Sequence, residues 1–65
     1  MEIGFVGLGV MGEPMCRNLA RKSGAKVTAF DRAAEPLARL AADNVAAAAS
    51  LAALASTADV IFLCL

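Results

Sequence analysis

The chain predicts an α/β fold built on a parallel sheet, and three observations carry that expectation. Strand-like and helix-like segments alternate from the first residues onward, in the order β-α-β-α-β-α-β. The last segment, Val60-Ile61-Phe62-Leu63-Cys64-Leu65, is apolar at consecutive positions rather than alternate ones, the pattern of a strand covered on both faces. Glycines close the first strand-like run, where the chain must turn sharply into a helix.

Glu2-Ile3-Gly4-Phe5-Val6 opens the series, a short run carrying β-branched and aromatic residues and stopped by Gly7. From about Val10 to Ser23 the spacing becomes helical: Met11, Met15 and Leu19 recur every four residues, and Cys16 and Ala20 widen the stripe. That stripe predicts Met11, Met15 and Cys16 as core filler. Glu13 stands four residues ahead of Arg17, a mildly favourable pair. Arg21 and Lys22 fall in the last turn, where the helix dipole favours cations, and Gly24 is a natural C-cap. Pro14 is easy to place only if the helix begins near Val10, so that its missing N–H belongs to the first turn.

Lys26-Val27-Thr28-Ala29-Phe30 reads as a second strand ending at Asp31-Arg32. A second helix is expected from about Ala34, with Pro36 in its first turn, Leu37, Leu40 and Ala41 inward, and Asp43-Asn44 as its end. Val45–Ala49 is expected as a short third strand. Ser50 should cap a helix over Leu51–Ser56 that turns Leu51, Leu54 and Ala55 to one face. Strand four follows Asp59.

Composition narrows the function. The 65 residues are 60% apolar, but alanine supplies much of that, so Leu, Ile, Val, Phe and Met must build most of the core. Six basic and six acidic residues give zero net charge, and with three aromatics the chain has neither a phosphate-neutralising stripe nor a base-stacking platform; a nucleic-acid partner is not expected. Apolar runs such as Val45–Ala49 and Val60–Leu65 are too short for a membrane span, and Glu2 with glycines close behind makes a poor signal peptide. Cys16 and Cys64 stand alone in a chain without histidine, which argues against a zinc site and for reduced cysteines in a cytoplasmic protein. With no histidine to activate it, Cys64 is a poor nucleophile.

The chemistry-bearing pattern is Gly7-Leu8-Gly9-Val10-Met11-Gly12. It fits G-x-G-x-x-G, follows a predicted strand and opens a predicted helix. An acidic residue, Asp31, lies nineteen positions beyond Gly12, at the end of the next strand. Gly7 would let the chain turn out of the strand, Gly9 would let a diphosphate approach the backbone, and Gly12 would let the helix pack on the first strand. Free amides and the positive end of the helix dipole would meet the phosphates, and Asp31 would accept the adenosine ribose hydroxyls. A carboxylate there repels a 2′-phosphate and favours NAD over NADP. Arg32 pulls the other way if it pairs with that phosphate; it can also stack on adenine or stand as a solvated loop residue. These features together predict the first half of a Rossmann-type doubly wound parallel sheet, one partial dinucleotide-binding domain over residues 1–65, cut after its fourth strand.

The run Ile3 to Leu19, with its Gly-Leu-Gly-x-Met-Gly core followed by Pro14-Met15 and Asn18-Leu19, resembles the opening of the 3-hydroxyisobutyrate dehydrogenase family, the β-hydroxyacid dehydrogenases. It is more distantly similar to 6-phosphogluconate dehydrogenase. Ala58-Asp59-Val60-Ile61 and Cys64-Leu65 also match, so the resemblance covers the whole chain. It implies an oxidoreductase that moves hydride between a nicotinamide cofactor and a 3-hydroxy acid or semialdehyde, working as a homo-oligomer. It also implies that Cys64-Leu65 touch the nicotinamide-side ribose through their backbone. Many relatives carry Asn-Arg at the second-strand end and use NADP, and Asp31-Arg32 here is consistent with NAD. Asn44 stands near a position where relatives often have glycine, and asparagine tolerates the left-handed conformation such a position requires. The catalytic lysine, its asparagine partner and a C-terminal helical domain would lie beyond Leu65. Lys22 and Lys26 match no catalytic motif, so no catalytic residue is expected in this segment.

Two other readings share parts of the pattern. Flavoproteins and S-adenosylmethionine methyltransferases also use a glycine-rich first turn and an acidic second-strand end, but Met11 and the Pro14-Met15, Asn18-Leu19 extension disfavour them. A non-catalytic nucleotide-sensing module would look the same up to Leu65. With the usual strand order, the segment by itself should leave Val60–Leu65 as a bare apolar edge, bind NAD poorly and aggregate.

Overall fold

A computed structural model describes residues 1–64. Its first strand, β1 (Glu2–Val6), is followed by α1 (Gly9–Ser23), β2 (Lys26–Phe30), α2 (Ala34–Leu40), β3 (Ala46–Ala47), α3 (Leu51–Thr57) and β4 (Val60–Leu63). The four strands are parallel and ordered β3-β2-β1-β4. This is the first half of a Rossmann-like sheet, as the alternation predicts. Register runs residue for residue from β2 through β1 to β4: Ile3 lies between Val27 and Val60, and Phe5 between Ala29 and Phe62.

The two faces of β1 are covered differently. Ile3 and Phe5 point to the side of α1 and α2, where they join Leu8, Cys16, Val27, Ala29, Leu40 and Val45 in one buried cluster. On the other face Gly4 meets α3: a Cβ placed there would come within 2.5 Å of Leu54 Cδ2 and 3.0 Å of Ala58 Cβ. Leu54 is buried by this approach, and Gly4 is a glycine because α3 leaves no room for a side chain.

Local signals set most element ends. Gly24 takes a left-handed φ of 70° and stops α1, with Arg21 and Lys22 in its last turn. Asn44, at φ 63°, ends a short 3₁₀ turn over Ala41–Asp43 that extends α2. The Ser50 hydroxyl accepts the Ala53 N–H at 3.1 Å and caps α3.

Several expectations need correction. The buried face of α1 is Gly12 and Cys16, flanked by Leu19 and Ala20, whereas Met11 and Met15 are exposed. The helix sits so close to the sheet that only small side chains fit beneath it, and the methionines are turned onto its flank. Pro14 is the sixth residue of a helix that begins at Gly9, just past the first turn. The carbonyl deprived of its partner is that of Val10, an exposed residue, so water can satisfy it. Ala41, Leu51 and Ala55 face solvent, and of the predicted faces only Leu40 and Leu54 are fully buried, with Leu37 half-buried. The third strand is two residues long; Val45 turns into the core and Ala48 donates its N–H to Ala29 O at 2.9 Å. Val60, Ile61, Phe62 and Leu63 are all exposed, because β4 closes the row and the helices pack over β1 and β2 rather than over it. Over Val60–Leu63 this is the bare apolar edge expected above, and Leu65 lies outside the described residues. No helix among the described residues is long and apolar enough to cross a membrane.

Candidate functional site

The carboxyl end of β1 builds the site. Gly7 leaves the strand at φ 85°, a conformation that side chains resist, and donates its N–H to Phe30 O at 3.0 Å. Leu8 buries its side chain in the core while its carbonyl accepts the Gly12 N–H at 2.8 Å, closing the first turn of α1. Gly9 is left-handed at φ 62°, and nothing lies within 4 Å of where its side chain would stand. Gly12 is the opposite case: a Cβ there would run into the Gly7 carbonyl oxygen, with Cys64 Sγ a further neighbour at 3.5 Å. The glycines thus serve a sharp turn, an open approach and a close packing contact.

The amides of Gly9, Val10 and Met11 precede the first helical hydrogen bond and have no acceptor among the described residues. They sit at the positive end of a 15-residue helix. An acceptor-rich anion is the chemistry that such a mouth attracts.

Asp31 is tied to this loop. Its Oδ2 accepts the Leu8 N–H at 2.8 Å and its Oδ1 accepts the Ala33 N–H at 3.1 Å. The Ala33 amide first, and then the Leu8 amide, hold its carboxyl below the ordinary carboxylate range, so it is ionised at neutral pH. Sequence reasoning placed Asp31 beside the glycines but missed that it staples the β2 end to the glycine turn. Arg32 is exposed and has no ion-pair partner among the described residues.

A cleft of about 460 Å³ runs along residues 7–11 and is bounded by Asp31 and Cys64. A second concavity of about 560 Å³ shares Gly7 and Asp31 with it and adds Phe30, Arg32, Leu51 and Leu63. Both open at the carboxyl ends of the strands, where ligands bind in sheets of this kind. Cys64 gives its N–H to Val6 O at 2.8 Å, so only its carbonyl is left for a backbone contact to a ligand. Leu65 lies outside the described residues. Cys16 is fully buried, and burial pushes its thiol up to about 11, in keeping with a packed residue. Neither cysteine is in a disulfide. Lys22 and Lys26 are exposed, and neither borders the cleft.

One group went unpredicted in the sequence. Glu13 pairs with Arg17 at 3.0 Å, as the four-residue spacing implies, but it also receives Arg39 of α2 at 2.7 and 2.8 Å. Asp43 in turn joins Arg17 at 2.9 Å and Arg21 at 2.8 Å. No local spacing reveals partners twenty-six positions apart.

The family described as the NAD binding domain of 6-phosphogluconate dehydrogenase matches residues 2–65. The chain belongs to that family. As an NAD-binding domain it is 40% identical over 62 residues to 2-(hydroxymethyl)glutarate dehydrogenase of Eubacterium barkeri, a match covering 95% of this chain and 20% of that protein. Among solved structures it is similar to 3-hydroxyisobutyrate dehydrogenase of Mycobacterium tuberculosis with L-serine, at TM-score 0.88 and 38% identity over 98% of this chain and 22% of the other. An imine reductase from Pseudomonas sp. superposes at TM-score 0.90 with 25% identity. A reductive aminase from Aspergillus terreus, in complex with NADPH4, cyclohexanone and allyl amine, does so at 0.87 with 25% identity. Each of these two matches also covers 98% of this chain and 22% of the other. The chain thus spans about a fifth of the length of these relatives. For an NAD-binding domain, the free amides over residues 9–11 and the open space above Gly9 fit a diphosphate.

Proposed function

We propose that this segment holds the ADP half of NAD in an oxidoreductase acting on a 3-hydroxy acid or semialdehyde. The observation that carries the reading is the juxtaposition of three acceptor-free amides, at Gly9, Val10 and Met11, with a carboxylate anchored 2.8 Å from the Leu8 amide. The backbone of Gly7, Leu8, Gly9, Val10, Met11 and Gly12 would cradle the diphosphate. Asp31 would accept ribose hydroxyls with the lone pairs its two backbone bonds leave free, and Arg32 would lie over the adenine or beside its ribose. Cys64 and Leu65 would reach the nicotinamide-side ribose, Cys64 through its carbonyl oxygen.

NAD is favoured over NADP because an ionised Asp31 repels a 2′-phosphate. The unpartnered Arg32 and the NADPH-type ligand of the Aspergillus aminase support the other choice. Hydride exchange is the chemistry that the bound nicotinamide supplies. The hydroxy-acid class is favoured over imines because the two hydroxy-acid dehydrogenases are the more similar in sequence, at 40% and 38% identity against 25%. Proton transfer to the substrate would fall to residues beyond this segment.

Titrating the whole protein with NADH and NADPH, followed by nicotinamide fluorescence, tests the reading. Saturable binding, tighter for NADH, is expected, and Gly9→Val should weaken it because a β-branched residue resists φ 62°. Tighter NADPH binding would reverse the cofactor choice. Retained flavin, saturable S-adenosylmethionine binding, or an unaffected Gly9→Val variant would overturn the proposal.

A further inference from the structure

The start of α1 has little helical strength of its own. Gly9, Gly12 and Pro14 lie within its first six residues, and glycine and proline are the weakest helix formers. Yet this stretch carries the amides of Gly9, Val10 and Met11, and the Leu8–Asp31 bond ties only the strand side of the turn to the Asp31 loop. A rigid tie between α1 and α2 would hold both in place.

Glu13 supplies one. Its carboxylate takes a two-pronged contact from Arg39 of α2, Nη2 to Oε1 at 2.7 Å and Nε to Oε2 at 2.8 Å, and a further one from Arg17 Nη2 at 3.0 Å. Its side chain is 12% exposed, well covered for a surface glutamate. Arg17 continues to Asp43 in the 3₁₀ turn that ends α2. The Arg39 and Arg17 contacts hold the Glu13 carboxyl down to about 2, so the pair stays charged at any ordinary pH. The cleft of about 510 Å³ beside this cluster is also lined by Gly9 and Val10, so the tie borders the amide-bearing turn directly. Paired guanidinium forks constrain geometry as well as charge.

We infer that Glu13 and Arg39 form a positioning pair that fixes the spacing between the glycine turn and the Asp31-Arg32 loop, and so sets dinucleotide affinity without either side chain touching the ligand. This rests on the function proposed above. Breaking the pair leaves the Leu8–Asp31 bond in place but frees the helix side of the turn, so the amides of Gly9, Val10 and Met11 shift relative to the Asp31-Arg32 loop and a ligand spanning both loses affinity.

The test is a double-mutant cycle on the whole protein, with NADH as the fluorescent probe. Binding is read well below the melting temperature of every variant, so that loss of stability alone leaves Kd unchanged. Glu13→Ala and Arg39→Ala should each raise Kd about tenfold, and the double variant should be no worse than either, as coupled neighbours are. Glu13→Gln, which keeps the shape and one acceptor, should fall between, and it decides the matter if Glu13→Ala does not fold. Lys26→Ala, which removes a cation at the opposite end of the sheet, should bind as the parent does. A parent-like Kd in Glu13→Gln and Arg39→Ala, additive losses, or an equal loss in Lys26→Ala would overturn the inference. A parent protein that binds neither NADH nor NADPH would overturn the functional reading instead, and this one with it.

Discussion

β1 and β4 are close to the same strand in composition. Ile3-Gly4-Phe5-Val6 lies in register with Val60-Ile61-Phe62-Leu63, yet every residue of the first set is buried and every residue of the second is exposed. The difference is neither hydrophobicity nor β propensity. β1 lies inside the order β3-β2-β1-β4, with α1 and α2 on one face and α3 on the other, whereas β4 closes the row. Place in the sheet decides what an apolar strand contributes. It also decides where the site forms, since the glycine turn is the exit of the best-anchored strand.

The largest expected effect sets the two strands against each other. Phe5 is 2% exposed and Phe62 is 44% exposed, with their rings stacked at a centroid distance of 6.1 Å. In urea unfolding of the 65-residue chain at low concentration, Phe5→Ala should cost about 3–5 kcal/mol. Phe62→Ala should cost about 1 kcal/mol, mostly from the lost ring pair. Equal losses would mean that β4 is covered after all. At higher concentration the same chain should associate, and Ile61→Lys should raise its soluble fraction by charging the bare edge. A parent chain that sediments as a monomer throughout would break the comparison.

The next effect sharpens the account of β1 itself. Gly4→Ala adds one methyl, but it meets Leu54 and Ala58 rather than space, so a loss of about 1–3 kcal/mol is expected in the same unfolding assay. Gly12→Ala should be worse for NADH binding than for stability, because its methyl pushes on the Gly7 carbonyl at the mouth of the site. Comparing Kd with melting temperature for that variant separates the two.

Smaller effects come from titration. Glu13 falls from 4.5 to about 2 on folding, and Asp31 and Asp43 are also lowered. Depressed carboxyls add stability that is complete above their unfolded values and disappears as pH drops through the folded ones. Melting temperature should therefore decline between about pH 5 and about pH 2, and less so in Glu13→Gln. Cys16, raised from 9.0 to about 11, acts in the other direction: its contribution is complete below 9.0 and is lost as pH rises toward 11. Cys16→Ala should flatten the alkaline side of the melting profile.

Much of the architecture was legible because its signals are local. The switch from strand to helix spacing, the glycine and asparagine at helix ends and the Ser50 cap each depend on neighbours within a few residues. The glycine turn and Asp31 were legible as a candidate site because motif and spacing survive in linear order. The methionine stripe misled because every fourth residue being apolar does not say which flank of the helix meets the sheet. Gly12 and Cys16, the small residues, mark that flank. Glu13 was readable only halfway: its partner one turn on was visible, whereas Arg39 was not.

From the amino-acid order alone came the element types, their succession and the placing of a glycine-rich turn next to an acidic strand end, because backbone preference and glycine freedom act over short stretches. Folding in three dimensions decided the rest. It determined which of two matching strands is buried, why position 4 favours glycine, that Asp31 holds the Leu8 amide, and that one carboxylate joins two helices. Each depends on atoms brought together from distant parts of the chain, where contact distance rather than sequence distance governs energy.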